Sequence, residues 1–196
     1  MNKEITTKVN FEGYKYIDGG ICAAKGFKAN GLYCGIRKPR SSSRRRPTKS
    51  LKNDICLVTS DKMCSSAAVF TQNKVKGAPV IISQNNLKAT AGKSQAFIIN
   101  SKNANTCNAD GEQKAYRMCE LVAQRMHIKT EEVLVAQTGV IGEIFPIEPV
   151  EEKIDELFSG LSYDKNIEAA TAIMTTDTVK KEVAVEFNIS GKKCHI

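Results

Sequence analysis

The first hundred or so residues carry short apolar runs separated by turn residues, and the rest carries apolar groups at helical spacing. Runs at 32–36, 55–58, 65–71, 78–83 and 96–100 are short and rich in Val, Ile and Phe, which predicts strands. Pro79 is compatible with the start of the fourth. Ser60-Asp61 and Asn85-Asn86 read as turns between them. Residues 1–20 alternate weakly and end in the turn signal Asp18-Gly19-Gly20. Around Gly26 and Phe27, 21–31 fits either a loop or a strand that another backbone approaches closely. The period changes at 112–126, where Ala115, Met118, Cys119, Val122, Ala123 and Met126 recur at three and four residues. That spacing predicts a helix, with Asp110 placed to cap it and Gln113 three residues on.

Val133, Leu134, Val135 and Ala136 form a compact apolar run that predicts a buried strand. A second helix is expected over 149–161, with Val150, Ile154, Leu157 and Phe158 on one face and Ser159-Gly160 as its stop. Residues 167–174 read as a short helix or turn. Residues 183–189 alternate as a strand, Ser190-Gly191 forms a hairpin turn, and 192–196 begins the returning strand. Strands, then helices, then strands again indicate an α+β fold with a mixed sheet.

Composition narrows the class. A hydrophobic content of 41% and a charged content of 26% are ordinary for a globular protein. No run is long and apolar enough for a membrane span, and Met1 to Lys8 has no apolar core of a secretory signal. The seven cysteines are scattered without any CxxC pair, so reduced, buried small residues are expected rather than disulfides. No zinc spacing joins them to His127 or His195, and neither histidine reads as a catalytic base.

The net charge of +8 belongs to one place. Segment 37–52 holds Arg37, Lys38, Arg40, Arg44, Arg45, Arg46, Lys49 and Lys52 and no acid, so the remaining residues sum to zero. With two prolines and four serines it reads as an exposed, disordered insertion. A nucleic-acid patch is the other reading, but no aromatic side chain is interleaved for base stacking.

The chemistry-bearing stretch is 137–142. A strand that ends in Thr138 and Gly139 sets a hydroxyl and an unhindered backbone N–H side by side. Two such donors suit the charge that develops on an attacked carbonyl, and the missing Cβ of Gly139 allows close approach. The residues alone also fit a strand followed by a plain turn. Thr175, Thr176, Asp177 and Thr178 fit either a substrate-binding loop or ordinary capping residues.

Five stretches, in order, resemble the glutamate N-acetyltransferase (ornithine acetyltransferase) family of arginine biosynthesis. They are Ala24-Lys-Gly-Phe-Lys-Ala-Asn-Gly31, Ala67-Ala-Val-Phe-Thr-Gln-Asn73 with Ala78-Pro-Val80, Asn100-Ser-Lys-Asn-Ala-Asn105, Gln137-Thr-Gly-Val-Ile-Gly142, and Ala172-Ile-Met-Thr-Thr-Asp-Thr178. The resemblance implies the N-terminal, α-chain part of the ornithine-acetyltransferase-like (DmpA-like) fold, forming one domain over 1–196. It implies a cytoplasmic enzyme that moves acetyl from N-acetylornithine to glutamate, with acetyl-CoA a donor for some members. No cofactor or metal is implied. The precursor cuts itself before a threonine that becomes the N-terminal nucleophile of a β-chain, and the assembly is α2β2. By the same resemblance Thr138 and Gly139 form the oxyanion hole and Thr175 binds substrate.

The sequence departs from the family pattern in four places. It ends at Ile196, ahead of the expected Lys-Gly-Ser-Gly-Met segment and Ala-Thr cleavage point. The basic segment 37–52 stands where a short turn is usual, and Ala24 replaces a proline. Lys102 stands where glycine is common, and a positive φ there would be strained by lysine. Three readings follow: an α-chain active when joined to its β-chain, a truncated remnant without catalysis, or a basic protein that binds RNA or an anionic surface through 37–52. The first is the one expected, with neither nucleic acid nor membrane as partner.

Overall fold

The computed structural model describes residues 13–36 and 52–196. The expected basic insertion lies outside the described residues, apart from exposed Lys52. The described chain is α+β, as the pattern indicated. Its centre is a four-stranded sheet of β2 (Phe27–Leu32), β3 (Ile55–Ser65), β4 (Lys93–Asn100) and β5 (Val133–Gln137), in that order. The first two pairings are antiparallel and β4 with β5 is parallel.

The parallel pair is joined through helix α2 (Gly111–Met126), as a parallel connection requires a crossover. Helices α1 (Ala78–Ala89), α2 and α3 (Glu148–Ser159) share one core with the sheet. There Ile55, Leu57, Ile98, Met118, Val122, Val133, Val135, Phe145, Ile154 and Leu157 are buried. Alternation along β3 sends Cys56 the other way, into a small cluster with Ala29 of β2 and Ala169 and Ala172 of α4 (Asn166–Ala172). A Cβ on Gly31 would lie 2.2 Å from the Glu168 carbonyl oxygen. The close backbone approach expected in 21–31 is therefore real, and it falls at Gly31 against α4. A separate antiparallel sheet orders β1 (Tyr14–Ile17), β6 (Ala184–Ile189) and β7 (Lys192–His195). His195 Nδ1 lies 3.0 Å from the Ala23 carbonyl oxygen, which ties this sheet to the body.

Several expected elements are corrected. The apolar run 78–83 is the first half of helix α1, with Pro79 in its first turn, where no N–H is needed. Its buried positions, Ala78, Pro79, Ile82, Ser83 and Asn86, repeat at helical spacing. The Asn85-Asn86 turn lies inside the same helix. Polar residues occupy its buried face because α1 covers the free edge of β5. Ser83 Oγ donates to the Val135 carbonyl (2.7 Å) and accepts from its N–H (2.9 Å), and Asn86 Nδ2 donates to the Val133 carbonyl (2.8 Å). An edge strand that would otherwise template aggregation is thereby satisfied. The strand expected at 32–36 ends at Leu32, and 33–36 instead wraps the Asp54 carboxylate, which accepts from the N–H groups of Cys34, Gly35 and Ile36. No strand forms from 66 to 71, where Val69 is 99% exposed. Ser60 and Asp61 lie within β3, which bulges between Thr59 and Cys64 rather than turning back. Only Cys56 and Cys119 are buried; Cys107 is exposed and the other four are half-buried, all of them as free thiols.

Candidate functional site

Parallel strands end on the same side of a sheet. Because β4 and β5 are parallel, Asn100 and Gln137 end them side by side as register partners. Both loops leave from that edge, the usual place for a ligand site in such sheets. Loop 101–108 and loop 138–146 then run together: Thr138 N–H donates to the Asn100 carbonyl (3.0 Å), Val140 N–H to Lys102 (3.2 Å), Ala104 N–H to Val140 (2.9 Å) and Gly142 N–H to Thr106 (3.0 Å).

An asparagine network makes the pair of loops rigid. Gln137 Nε2 donates to Asn100 Oδ1 (2.9 Å), and Asn105 Nδ2 donates to both Gln137 Oε1 and the Gly111 carbonyl (2.8 Å each). Asn103 Nδ2 reaches the carbonyls of Glu143 and Ile144 (3.1 and 3.2 Å), and Asn108 Nδ2 donates to the Glu143 carbonyl (2.8 Å). Asn100, Asn103 and Asn105 are buried, so each lost bond would strand a polar group. Sequence reading gave these residues no role of their own. The signal present was the density of asparagine itself, four in the nine residues 100–108.

Thr138 and Gly139 are exposed at the end of β5. The amides on either side of Gly139 are fastened, to Asn100 and to Lys102. The Gly139 N–H and the Thr138 hydroxyl have no hydrogen-bond partner among the described residues. Gly139 has φ +134°, and a Cβ there would sit 2.3 Å from the Lys102 carbonyl carbon and 2.6 Å from the Asn103 nitrogen. Glycine is therefore required twice over at this position, for its φ and for the contact with the neighbouring loop. What the arrangement offers is a fixed backbone N–H and an adjacent hydroxyl, both exposed.

Thr175 is exposed in the turn after α4 and is not bonded to Thr138 or Gly139. The two segments meet through Lys102, whose Nζ donates to the Met174 carbonyl at 3.0 Å while its own carbonyl accepts from Val140. Lys102 has φ +80°, the left-handed conformation expected at a position where glycine would be at ease. Burial lowers its ammonium pKa; Lys52 adds to the effect and Asp54 opposes it. Asp177, in the same turn, is held below the usual carboxylate range first by its ion pair with Lys181 (2.6 Å). Exposed Ile141 and Ile144 flank the donor pair, 64% and 74% accessible. His127 caps the end of α2 in a left-handed conformation, exposed and away from these loops. No group of three or more metal-binding side chains occurs among the described residues, and no helix among them is long and apolar enough to cross a membrane.

These features define an α+β protein with an open backbone N–H and an adjacent hydroxyl at the end of its parallel strand pair. The family model described as ArgJ family matches residues 30–196, and the chain belongs to that family. The chain is 42% identical over 177 residues to the "Arginine biosynthesis bifunctional protein ArgJ" of Caldanaerobacter subterraneus, covering 90% of this chain and 40% of that protein. It is 38% identical over 183 residues to the "Glutamate N-acetyltransferase" of Methanocaldococcus jannaschii, covering 93% and 41%. The chain thus spans about 40% of the length of these relatives. Among solved structures it resembles the arginine biosynthesis bifunctional protein of Bacillus halodurans, with a TM-score of 0.81 and 32% identity over 93% of this chain and 90% of that one. The ornithine acetyltransferase of Mycobacterium tuberculosis, solved in complex with ornithine, matches with a TM-score of 0.76 and 32% identity over 88% of each chain.

Proposed function

We propose that this chain is the α-chain part of an ArgJ-type acetyltransferase of arginine biosynthesis, acting in the cytoplasm. Joined to a β-chain, in an α2β2 assembly, it moves acetyl from N-acetylornithine to glutamate. The observation that carries the reading is the pair of open donors at Thr138 and Gly139, held between two fastened amides. The names of the relatives supply the substrates.

In this mechanism the hydroxyl of a β-chain threonine attacks the acetyl carbonyl, and that threonine's own amine helps take up the proton. Negative charge collects on the carbonyl oxygen, where the Gly139 N–H and the Thr138 hydroxyl donate to it. The amides on either side of Gly139 are fastened, which supports an N–H that needs little reorganisation as charge develops. Collapse of the intermediate breaks the C–N bond. Ornithine leaves with its amine protonated, and acetyl-threonine remains. The amine of glutamate then attacks the acetyl-threonine carbonyl, passes through the same oxyanion site and leaves as N-acetylglutamate, freeing the threonine. Thr175 binds substrate beside this site. The exposed apolar groups Ile141 and Ile144 give the β-chain a surface next to the donors.

The test is acetyl transfer from N-acetylornithine to glutamate by the purified chain, with and without a co-expressed β-chain. Transfer is expected only with the β-chain, and Thr138→Ala lowers kcat by roughly 10²–10³. No transfer with the β-chain present makes the chain a catalytically silent remnant. A near-normal kcat in Thr138→Ala removes Thr138 from the oxyanion site.

A further inference from the structure

Lys102 touches both segments of the proposed site. Its backbone carbonyl accepts from Val140, and a side chain on Gly139 would strike it. Its ammonium crosses to the Met174 carbonyl, 72 positions away in sequence and next to Thr175. The carboxylate of Asp54, whose charge acts on this ammonium, is already occupied. Asp54 is buried, and its two oxygens take the Cys34, Gly35 and Ile36 N–H groups at 2.7, 3.2 and 3.0 Å. The ammonium therefore serves a neutral carbonyl.

The backbone conformation makes this arrangement costly. At φ +80° a lysine is strained where glycine would not be. Strain of this kind persists where the surrounding contacts hold it, and it gathers at working sites. The side chain must supply something that glycine could not, and the only hydrogen bond it makes among the described residues is the one to Met174.

We propose that Lys102 is a positioning residue, whose ammonium tethers the Met174 and Thr175 turn to the loop behind Gly139 and so sets where Thr175 stands relative to the oxyanion donors. The proposal rests on the site reading above for its meaning in catalysis; the tether itself can be tested without any turnover. Replacing the residue separates its two effects. Lys102→Gly relieves the backbone and removes the tether. Lys102→Met keeps the strain and removes only the ammonium. Lys102→Arg keeps a cationic donor.

The experiment is 15N relaxation and thermal unfolding of the 196-residue chain and these three variants. In the unchanged chain the amides of 174–178 should show order parameters near about 0.85, and in Lys102→Gly and Lys102→Met these should fall below about 0.6. Lys102→Gly should at the same time raise Tm by about 2–4 °C, so that the protein becomes more stable while this turn becomes looser. Lys102→Arg should keep the turn ordered. A lysine that is merely tolerated predicts the higher Tm in Lys102→Gly with no change at 174–178, and that result would overturn the proposal. Equal loosening in Lys102→Arg would also overturn it. Because no acetyl transfer enters these measurements, loss of the acetyltransferase reading leaves the tether standing, and loss of the tether leaves the oxyanion pair untouched.

Discussion

Gly139→Ala puts the proposed site to its most direct structural test. The added methyl carbon would sit 2.3 Å from the Lys102 carbonyl carbon and 2.6 Å from its oxygen, where ordinary contact begins near 3.4 Å. The obstacle is backbone, so no side chain can swing away. The two loops must separate by about 1 Å, which stretches or breaks the Val140 to Lys102 and Ala104 to Val140 hydrogen bonds, at 3.2 and 2.9 Å in the unchanged chain. Each is worth about 1 kcal/mol. Holding alanine at φ +134° costs about 1–3 kcal/mol more. The expected loss is therefore about 2–5 kcal/mol out of a typical total of about 5–15. Gly142→Ala is the control, because Gly142 also has positive φ, +77°, but nothing lies within 4 Å of an added Cβ. It should lose only about 1–2 kcal/mol. Urea unfolding followed by circular dichroism gives both values, compared at equal m. If the two variants agree within about 0.5 kcal/mol, the close contact between the loops does not exist in solution and the fixed geometry of the Gly139 amide goes with it.

Ser83→Ala should cost about 2–4 kcal/mol in the same assay, because it strands both the N–H and the carbonyl of buried Val135 at the sheet edge; a loss below about 0.5 kcal/mol would mean the edge is satisfied some other way. Asn105→Asp replaces an NH2 that serves Gly111 and Gln137 with a carboxylate facing two acceptor oxygens. It should destabilise more at pH 7 than at about pH 3, where a protonated carboxyl can donate again; no difference between the two pH values would place Asn105 elsewhere. Burial pushes the thiols of Cys56 and Cys119 from 9.0 up to about 12. The unfolded chain ionises them near 9 and the folded chain does not. Their stabilising contribution is thus fully present below pH 9 and is lost as pH rises towards 12. Tm should fall over that range, less steeply in the Cys56→Ala/Cys119→Ala variant, and an unchanged slope would refute the assignment.

How much of this the sequence disclosed depended on whether burial and polarity agreed. In α2 and α3 the apolar stripes coincide with the buried faces, and both helices were legible within a residue or two. In α1 they do not coincide. Ser83 and Asn86 are polar because they serve the edge of β5, so the helical period is hidden and the β-branched trio Val80, Ile81 and Ile82 reads as a strand. The run at 65–71 misleads for the opposite reason: its apolar residues lie mostly exposed in this chain, and propensity alone does not make a strand without a partner. Thr138 and Gly139 could be found from the strand that ends there, and the positive φ at Lys102 was foreseeable from the family resemblance, which implies glycine at that position. The reach of the Lys102 ammonium to Met174 was not, since 72 residues of chain separate them and only the fold brings them together.

The position of the donor pair follows from one topological choice. Had β5 paired antiparallel to β4, the chain after Gln137 would have left from the opposite edge and no two loops could run in register. Parallel pairing places Asn100 beside Gln137, and the first hydrogen bond beyond the sheet, Thr138 N–H to Asn100, simply extends the ladder. A regular ladder continued in this way would carry on through alternate amides, Thr138 and then Val140, and leave the one between them facing outward. Gly139 is that amide. Its lack of a partner among the described residues is thus a product of β-ladder spacing, and the absent side chain lets the two loops close tightly enough to hold it still. Much of the loops' geometry lies in backbone and in the buried amides of Asn100, Asn103 and Asn105, whereas the Thr138 hydroxyl and the side chains of Lys102, Gln137 and Asn108 are exposed or half-buried. Substitutions at Asn100, Asn103 or Asn105 should therefore disturb the donor pair more than substitutions at the exposed residues 141–144 that flank it.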